Sequence, residues 1–285
     1  MSNLENRLNK LGHYPTPLEK WDKLGSRLGC ELWAKRDDLI GLAFGGNKTR
    51  KLEYLTHAAE QEGADWLVTT GAPQSNHCRQ TAAAAAKLGF GCTLLLGGPG
   101  IRSVTGNLLL DYIMGAEVEW TTSDMHARNE MLGSLLERLR EKGRRPYLIP
   151  LGGSNHWGTF AFVKAMEELK DQLEALEIEP PDVIVTASSS GGTQAGLALG
   201  TAKLGWSTQV LGVSVDMDEM SLRTVVTQCM LNATKYFSDL SDVTLPDLWI
   251  DDCMAEFEYA AFTDDERALL VEVARAQGVL LDPVY

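Results

Sequence analysis

Residues Asp182–Gly205 read DVIVTASSSGGTQAGLALGTAKLG. An apolar run from Val183 to Val185 leads into serines and two glycines, and a stretch of helical composition follows and stops at Gly205. An apolar run, a glycine turn and a helix make the repeating unit of a parallel sheet with crossover connections. The unit recurs: DWLVTTGA precedes NHCRQTAAAAAKLG, GCTLLLGG precedes TGNLLLDYIMG, and RPYLIPLGG precedes GTFAFVKAMEELKDQLEAL. The chain therefore reads as α/β, with mostly parallel twisted sheets flanked by helices. Small residues along TQAGLALGTAKLG let that helix approach a strand closely, and Gly89 and Gly205 mark helix C-terminal stops. The pattern sets a compact smaller α/β domain at residues 55–157, inserted into a larger domain made of 1–54 and 158–285.

A chain of 285 residues with 44% hydrophobic content can bury a sizeable core. Its 26 basic against 39 acidic residues give a net charge of −13, which opposes binding to nucleic acid or an anionic membrane. Apolar runs stay shorter than the roughly 18 residues that span a bilayer, and the polar start MSNLENRLNKLG lacks a signal-peptide core, so the expected setting is the cytoplasm. Cys30, Cys78, Cys92, Cys229 and Cys253 are scattered and form no C-x-x-C pair, which indicates neither a disulfide framework nor a zinc site.

Three motifs carry possible chemistry. Around Ser188, Ser189, Ser190, Gly191, Gly192 and Thr193, a glycine and serine turn at a helix N-terminus offers N–H and hydroxyl donors to a phosphate. The turn lacks both G-x-x-x-x-G-K-[ST] and G-x-G-x-x-G, so one phosphate on a small cofactor suits it better than a di- or triphosphate. In TTGAPQSNHCRQT, Ser75, Asn76 and His77 stand where α/β proteins bind ligands; the alternative is a helix N-cap with His77 on the surface. In FGGNKTRKLEYL, Phe44 to Leu55, the bases Lys48, Arg50 and Lys51 follow a glycine turn. A Schiff-base lysine needs neighbouring cations and partial desolvation, which this arrangement can supply; a solvated basic face is the other reading. A lysine for an aldehyde and a cradle for one phosphate are together the requirements of pyridoxal phosphate.

PTPLE (15–19), WAKRDDLIGLAFGGNKTRKLEYL (33–55), GAPQSNHCRQTAAAAAKLG (71–89), PLGGSNHWG (150–158), ASSSGGTQAGLALG (187–200) and GVLLDPVY (278–285) occur in this order. Together they resemble the D-cysteine desulfhydrase and 1-aminocyclopropane-1-carboxylate deaminase family. These are pyridoxal-phosphate enzymes of the two-domain tryptophan-synthase-β-like fold, also called fold type II. The resemblance implies that Lys48 carries the cofactor aldehyde and moves the substrate α proton. It implies that Lys51, Ser189, Ser190, Gly191, Gly192 and Thr193 hold the phosphate in the larger, cofactor-binding domain, and that Asn76 bonds the ring hydroxyl. Ser75, Asn76 and His77 would meet the substrate, with Ser75 and His77 on its carboxylate, and Tyr285 and Tyr259 would face the leaving group. Glycine and proline normally surround the latter tyrosine; this chain has Ala260, Ala261 and Phe262 after it.

By the same resemblance the reaction is α,β-elimination from a small amino acid, D-cysteine giving pyruvate, hydrogen sulfide and ammonia. His77 leans to the desulfhydrase side, because the cyclopropane deaminases usually carry glutamine there. Cyclopropane-carboxylate deamination, L-cysteate desulfonation and a non-catalytic cofactor-binding protein are the alternatives. The resemblance further implies a homodimer, and some tens of residues beyond Tyr285, so the expected C-terminal end is truncated. His13, His57 and His126 read as surface residues, and Cys78 as a small packed one.

Overall fold

The computed structural model describes residues 8–98, 103–122, 124–255 and 263–285. Two compact units divide the chain, one made of Met1–Tyr14 and Asp38–Ala161, the other of Pro15–Asp37 and Phe162–Tyr285. The expected cuts at 54/55 and 157/158 fall instead inside the helices Lys48–Gln61 and His156–Ala175. The first of these helices stays whole in unit 1 because Leu52 and Leu55 join that unit's core.

Unit 1 is built on four parallel strands, β3 (Trp66–Gly71), β4 (Gly91–Gly97), β5 (Glu117–Thr121) and β6 (Pro146–Leu148), in the order β5-β4-β3-β6. Helices α3 (Asn76–Leu88), α4 (Gly106–Ile113) and α5 (Met125–Glu141) connect them, and α2 (Lys48–Gln61) precedes β3. Side chains alternate across a strand, and both faces of this sheet are covered. Leu67, Leu94 and Leu96 pack with Leu52 and Leu55 of α2, Ala82–Ala85 of α3 and Leu108 of α4. Val68 and Leu95 point the other way, onto Leu132, Leu135 and Leu139 of α5. Each such fully buried leucine stabilises by about 1.5–3 kcal/mol. The chain steps outward from β3 to β5 and then returns to the far side of β3, so the carboxyl ends of β3 and β6 flank the point where strand order reverses. Open α/β sheets bind ligands at such a point.

Unit 2 carries an antiparallel pair, β1 (Leu18–Lys20) and β2 (Trp33–Lys35), with α1 (Asp22–Leu28) between them. Its parallel sheet runs β7 (Val183–Ser188), β8 (Gln209–Ser214), β9 (Trp249–Asp251), joined by α7 (Gly192–Leu204) and α8 (Glu219–Tyr236). The helix α6 (His156–Ala175) enters the unit with Met166, Leu169 and Leu173, which pack with Ile184 and Leu197. The last helix, α9 (Asp264–Gln277), pairs Glu272 with Arg27 of α1. Gly89 and Gly205 are left-handed C-caps of α3 and α7, as their positions in the sequence indicate.

Candidate active site

In unit 1 the glycine turn before α2 is sterically required: a Cβ on Gly45, at φ +72°, would lie 1.8 Å from the carbonyl oxygen of Asp38. Cations in the first turn of a helix oppose its dipole, so Lys48, Arg50 and Lys51 must be held by other means. All three are buried, which rules out the solvated basic face. Arg50 stacks its guanidinium over the Tyr14 ring at 5.0 Å. Lys48 Nζ donates to Asn47 Oδ1 at 3.0 Å. Lys51, only 1% exposed, donates from Nζ to Gly152 O and to Ser154 Oγ, each at 3.1 Å. These acceptors are neutral oxygens, and residues 152–154 follow β6 at the switch point. Positive charge gathered at the switch point of an open α/β sheet suits an anionic ligand.

The other side of the switch point is the β3-to-α3 junction. Ser75 is the N-cap of α3 and accepts the Cys78 N–H, so the N-cap reading holds for this residue. Asn76 Oδ1 accepts from Arg79 Nη1 at 2.8 Å and from Asn107 Nδ2 at 2.9 Å, which leaves the amide Nδ2 as its donor edge. Arg79 also reaches Asn107 Oδ1 and, through Nη2, the carbonyl of Gly45, so it ties the start of α4 and the glycine turn to α3. One turn along α4, Asp111 is buried with neither carboxyl oxygen hydrogen-bonded. Burial pushes that carboxyl up to about 7, and the charge of Arg79 pulls the other way.

His77 is buried, not on the surface. Its Nε2 lies 2.8 Å from Thr69 Oγ1, and that hydroxyl donates to Ile149 O, also at 2.8 Å. Desolvation first, then the charges of Lys48 and Lys51, push the imidazole down to about 3. It is therefore neutral across the physiological range.

In unit 2 the turn after β7 is built differently. Gly191 is the N-cap of α7 at φ +78° and has no side chain to cap with, and a Cβ there would lie 2.9 Å from Val225 Cγ1. Ser188 Oγ is buried without a hydrogen-bond partner, and Thr193 is buried. Ser189 commits its hydroxyl proton to Asp216 Oδ2 at 3.0 Å, so only its backbone N–H remains for an anion. Burial raises the Asp216 carboxyl, and the Ser189 bond opposes that shift. Ser190 and Gly192 complete the turn, with Gly192 N–H bonded to Ser190 O. Tyr285 is exposed, its N–H on Asp282 Oδ1. Tyr259 lies outside the described residues.

Sequence reasoning missed Thr69, Arg79, Asn107, Gly152 and Ser154. Arg79 alone carried a signal, standing one helical turn after Asn76. His57, expected at the surface, is buried on α2, whereas His13 and His126 are exposed. Cys78 is a packed residue, its thiol pushed up to about 12 by burial and then by Asp111. Among the described residues no group of His, Cys, Asp and Glu could hold a metal ion, and no helix is long and apolar enough to cross a membrane.

Residues 10–285 match the family model "Pyridoxal-phosphate dependent enzyme". A D-cysteine desulfhydrase of Serratia proteamaculans (strain 568) is 39% identical over 98% of this chain and 87% of its own length. That of Yersinia enterocolitica serotype O:8 / biotype 1B is 42% identical over 98% and 84%. Among solved structures, an ACC deaminase homologue superposes with a TM-score of 0.87 at 34% identity, over 98% of this chain and 83% of that one. A threonine deaminase of T.th. gives a TM-score of 0.57 at 26% identity, over 70% and 59%. By its fold, its buried lysine at the switch point and these likenesses, the chain belongs to the pyridoxal-phosphate dependent enzymes.

Proposed function

We propose that the chain is a lyase that eliminates the β substituent of a small amino acid, with D-cysteine and water giving pyruvate, hydrogen sulfide and ammonia. The observation that carries this reading is the 39–42% identity, over 98% of the chain, to relatives named D-cysteine desulfhydrase. The residues present fit the cofactor. Lys48 is a buried primary amine; Ser188 Oγ is a buried hydroxyl without a hydrogen-bond partner; the N-cap of α7 is a glycine with no side chain of its own. Pyridoxal phosphate, when bound, withdraws electrons from the amino-acid Cα and so acidifies its proton.

In this reading Lys48 carries the cofactor aldehyde and then removes the Cα proton as general base. His77 stays neutral at about 3 and does not compete for that proton at working pH. Lys51 supplies positive charge to the phosphate, and the backbone of Ser189, Ser190, Gly191 and Thr193 supplies N–H groups at a helix N-terminus, with Gly192, its N–H on Ser190 O, shaping the turn. Asn76, its oxygen already taken by Arg79 and Asn107, turns its amide to the ring hydroxyl. The Ser75 hydroxyl keeps a proton to donate to the substrate carboxylate. Tyr285 and Tyr259 steer the leaving group in this scheme. The proposal includes a homodimer, supported by the family resemblance, and a cytoplasmic setting, supported by five cysteines that are all free.

A second reading, cyclopropane-carboxylate deamination, is favoured by the 34% identity to the ACC deaminase homologue. Assaying purified, cofactor-loaded protein for sulfide from D-cysteine and for 2-oxobutanoate from the cyclopropane acid separates the two. Sulfide is expected; 2-oxobutanoate without sulfide overturns the main reading.

A further inference from the structure

The hydrogen bonds of Thr69 determine which nitrogen of His77 carries the proton. A threonine hydroxyl has one proton, and the carbonyl of Ile149, 2.8 Å away, can only accept. Thr69 therefore gives its proton to Ile149, and the 2.8 Å contact to His77 Nε2 requires the imidazole to be the donor there. In a neutral ring that leaves a lone pair on Nδ1. This Nδ1 is buried and has no hydrogen-bond partner. A lone pair repels a carboxylate oxygen and attracts an N–H, so the role first drawn from the resemblance, holding the substrate carboxylate, does not suit this ring. The cations that act on it are Lys48, the stronger, and Lys51, both from α2; Thr69 faces it from β3.

We propose that Thr69 is a positioning residue that fixes His77 with its proton on Nε2, so that the Nδ1 lone pair receives the amine of Lys48 and not the substrate carboxylate. Lys48 Nζ rests on Asn47 Oδ1 in this structure, and the unpartnered Nδ1 of His77, a ring on which the Lys48 charge already acts, is the second acceptor proposed for the same amine. The base is then oriented by a group that cannot itself take the proton. This deepens the proposed function, since it rests on Lys48 being the base.

The test uses the full chain before cofactor is loaded, so that the Lys48 amine is free, with 15N-labelled histidine, in which His77→Gln assigns one of five histidines. Long-range proton–nitrogen NMR is expected to give a pyridine-type Nδ1 and a pyrrole-type Nε2 for His77, unchanged between about pH 5 and 9, the range over which an ordinary imidazole titrates. Thr69→Val removes both hydrogen bonds and should mix or invert the tautomer; Thr69→Ser should restore it. Lys48→Ala should move the Nδ1 resonance downfield by removing its donor. An Nδ1-protonated wild type, or an Nδ1 signal indifferent to Lys48→Ala, overturns the proposal whether or not D-cysteine is the substrate. With cofactor loaded and D-cysteine as substrate, Thr69→Val should lower kcat about tenfold and leave KM within about twofold, the signature of a misplaced base. A raised KM with kcat preserved would instead assign His77 to the carboxylate and overturn it.

Discussion

The β3-to-α3 junction and the β7-to-α7 junction are topologically alike, each a turn at the carboxyl end of a parallel strand leading into a helix. They use that geometry in opposite ways. At α3 the Ser75 side chain caps the helix by taking the Cys78 N–H, and in the proposed function the chemistry falls to the side chains of Asn76 and His77. At α7 the cap is Gly191, which has no side chain to place over the helix end, and in the proposed function the anion is left to the backbone. A side-chain junction can discriminate between groups by tautomer and hydrogen-bond direction. A backbone junction offers dipole and N–H groups to any anion of the right size.

The largest effect expected from breaking this division comes at neither junction but at the lysine beside the first. Lys48→Ala should lower turnover of D-cysteine by about 1000-fold or more, since in the proposed function it removes both the covalent attachment and the base. The loss should persist at saturating cofactor, which separates it from a binding defect. Next comes Gly191→Ala, which puts a Cβ 2.9 Å from Val225 Cγ1 and a side chain at φ +78°. It should cost about 1–3 kcal/mol of stability in urea melts and weaken cofactor affinity while leaving His77 as it is. A fully stable variant with unchanged cofactor affinity would show that the turn is not the anion site.

The backbone junction was the more legible of the two. SSSGGT announces its donors in the residues themselves, and the apolar runs that became β3, β4, β6 and β7 are bounded by glycines that close each strand. The side-chain junction is legible only in part, because its partners are distant in sequence. Lys51 finds Gly152 and Ser154, 101 and 103 positions away, and no local pattern distinguishes that burial from a solvated basic face. Thr69 sits in an ordinary strand, and its hold on His77 across the turn is invisible until both are placed. His57 was misread for the same reason: the polar stretch KTRKLEYLTH looks like a surface helix, yet the core of unit 1 covers it.

Behind the side-chain junction lies a group the chemistry does not use. Asp111 is buried with no hydrogen bond, and its pKa is about 7 against an ordinary 3.8. Between those values the native state holds a proton that the unfolded chain has released, so this group makes stability fall as pH rises from 3.8 to about 7. Above 7 the full cost of a buried carboxylate is present. Asp111→Asn removes it and should raise stability at pH 8 by about 2 kcal/mol, with little change at pH 4. Thermal melts at the two pH values check this. A variant no more stable at pH 8 than wild type would mean that Arg79 neutralises Asp111 completely.

The smallest effect tests the comparison most directly. Ser75→Ala removes the side-chain cap from α3 and makes that junction resemble the uncapped one at α7. As a cap alone, Ser75 contributes about 1 kcal/mol. As a donor to the substrate carboxylate, it should also raise KM for D-cysteine by about tenfold, the equivalent of one hydrogen bond to a charged group. Ser75→Gly separates the roles, because glycine is tolerated at an N-cap at a cost of a few tenths of a kcal/mol but offers no hydroxyl. If Ser75→Gly is nearly as stable as wild type and still shows the raised KM, the hydroxyl serves the ligand as well as the helix. If KM follows stability in both variants, Ser75 is a cap and nothing more, and recognition at this junction rests on Asn76.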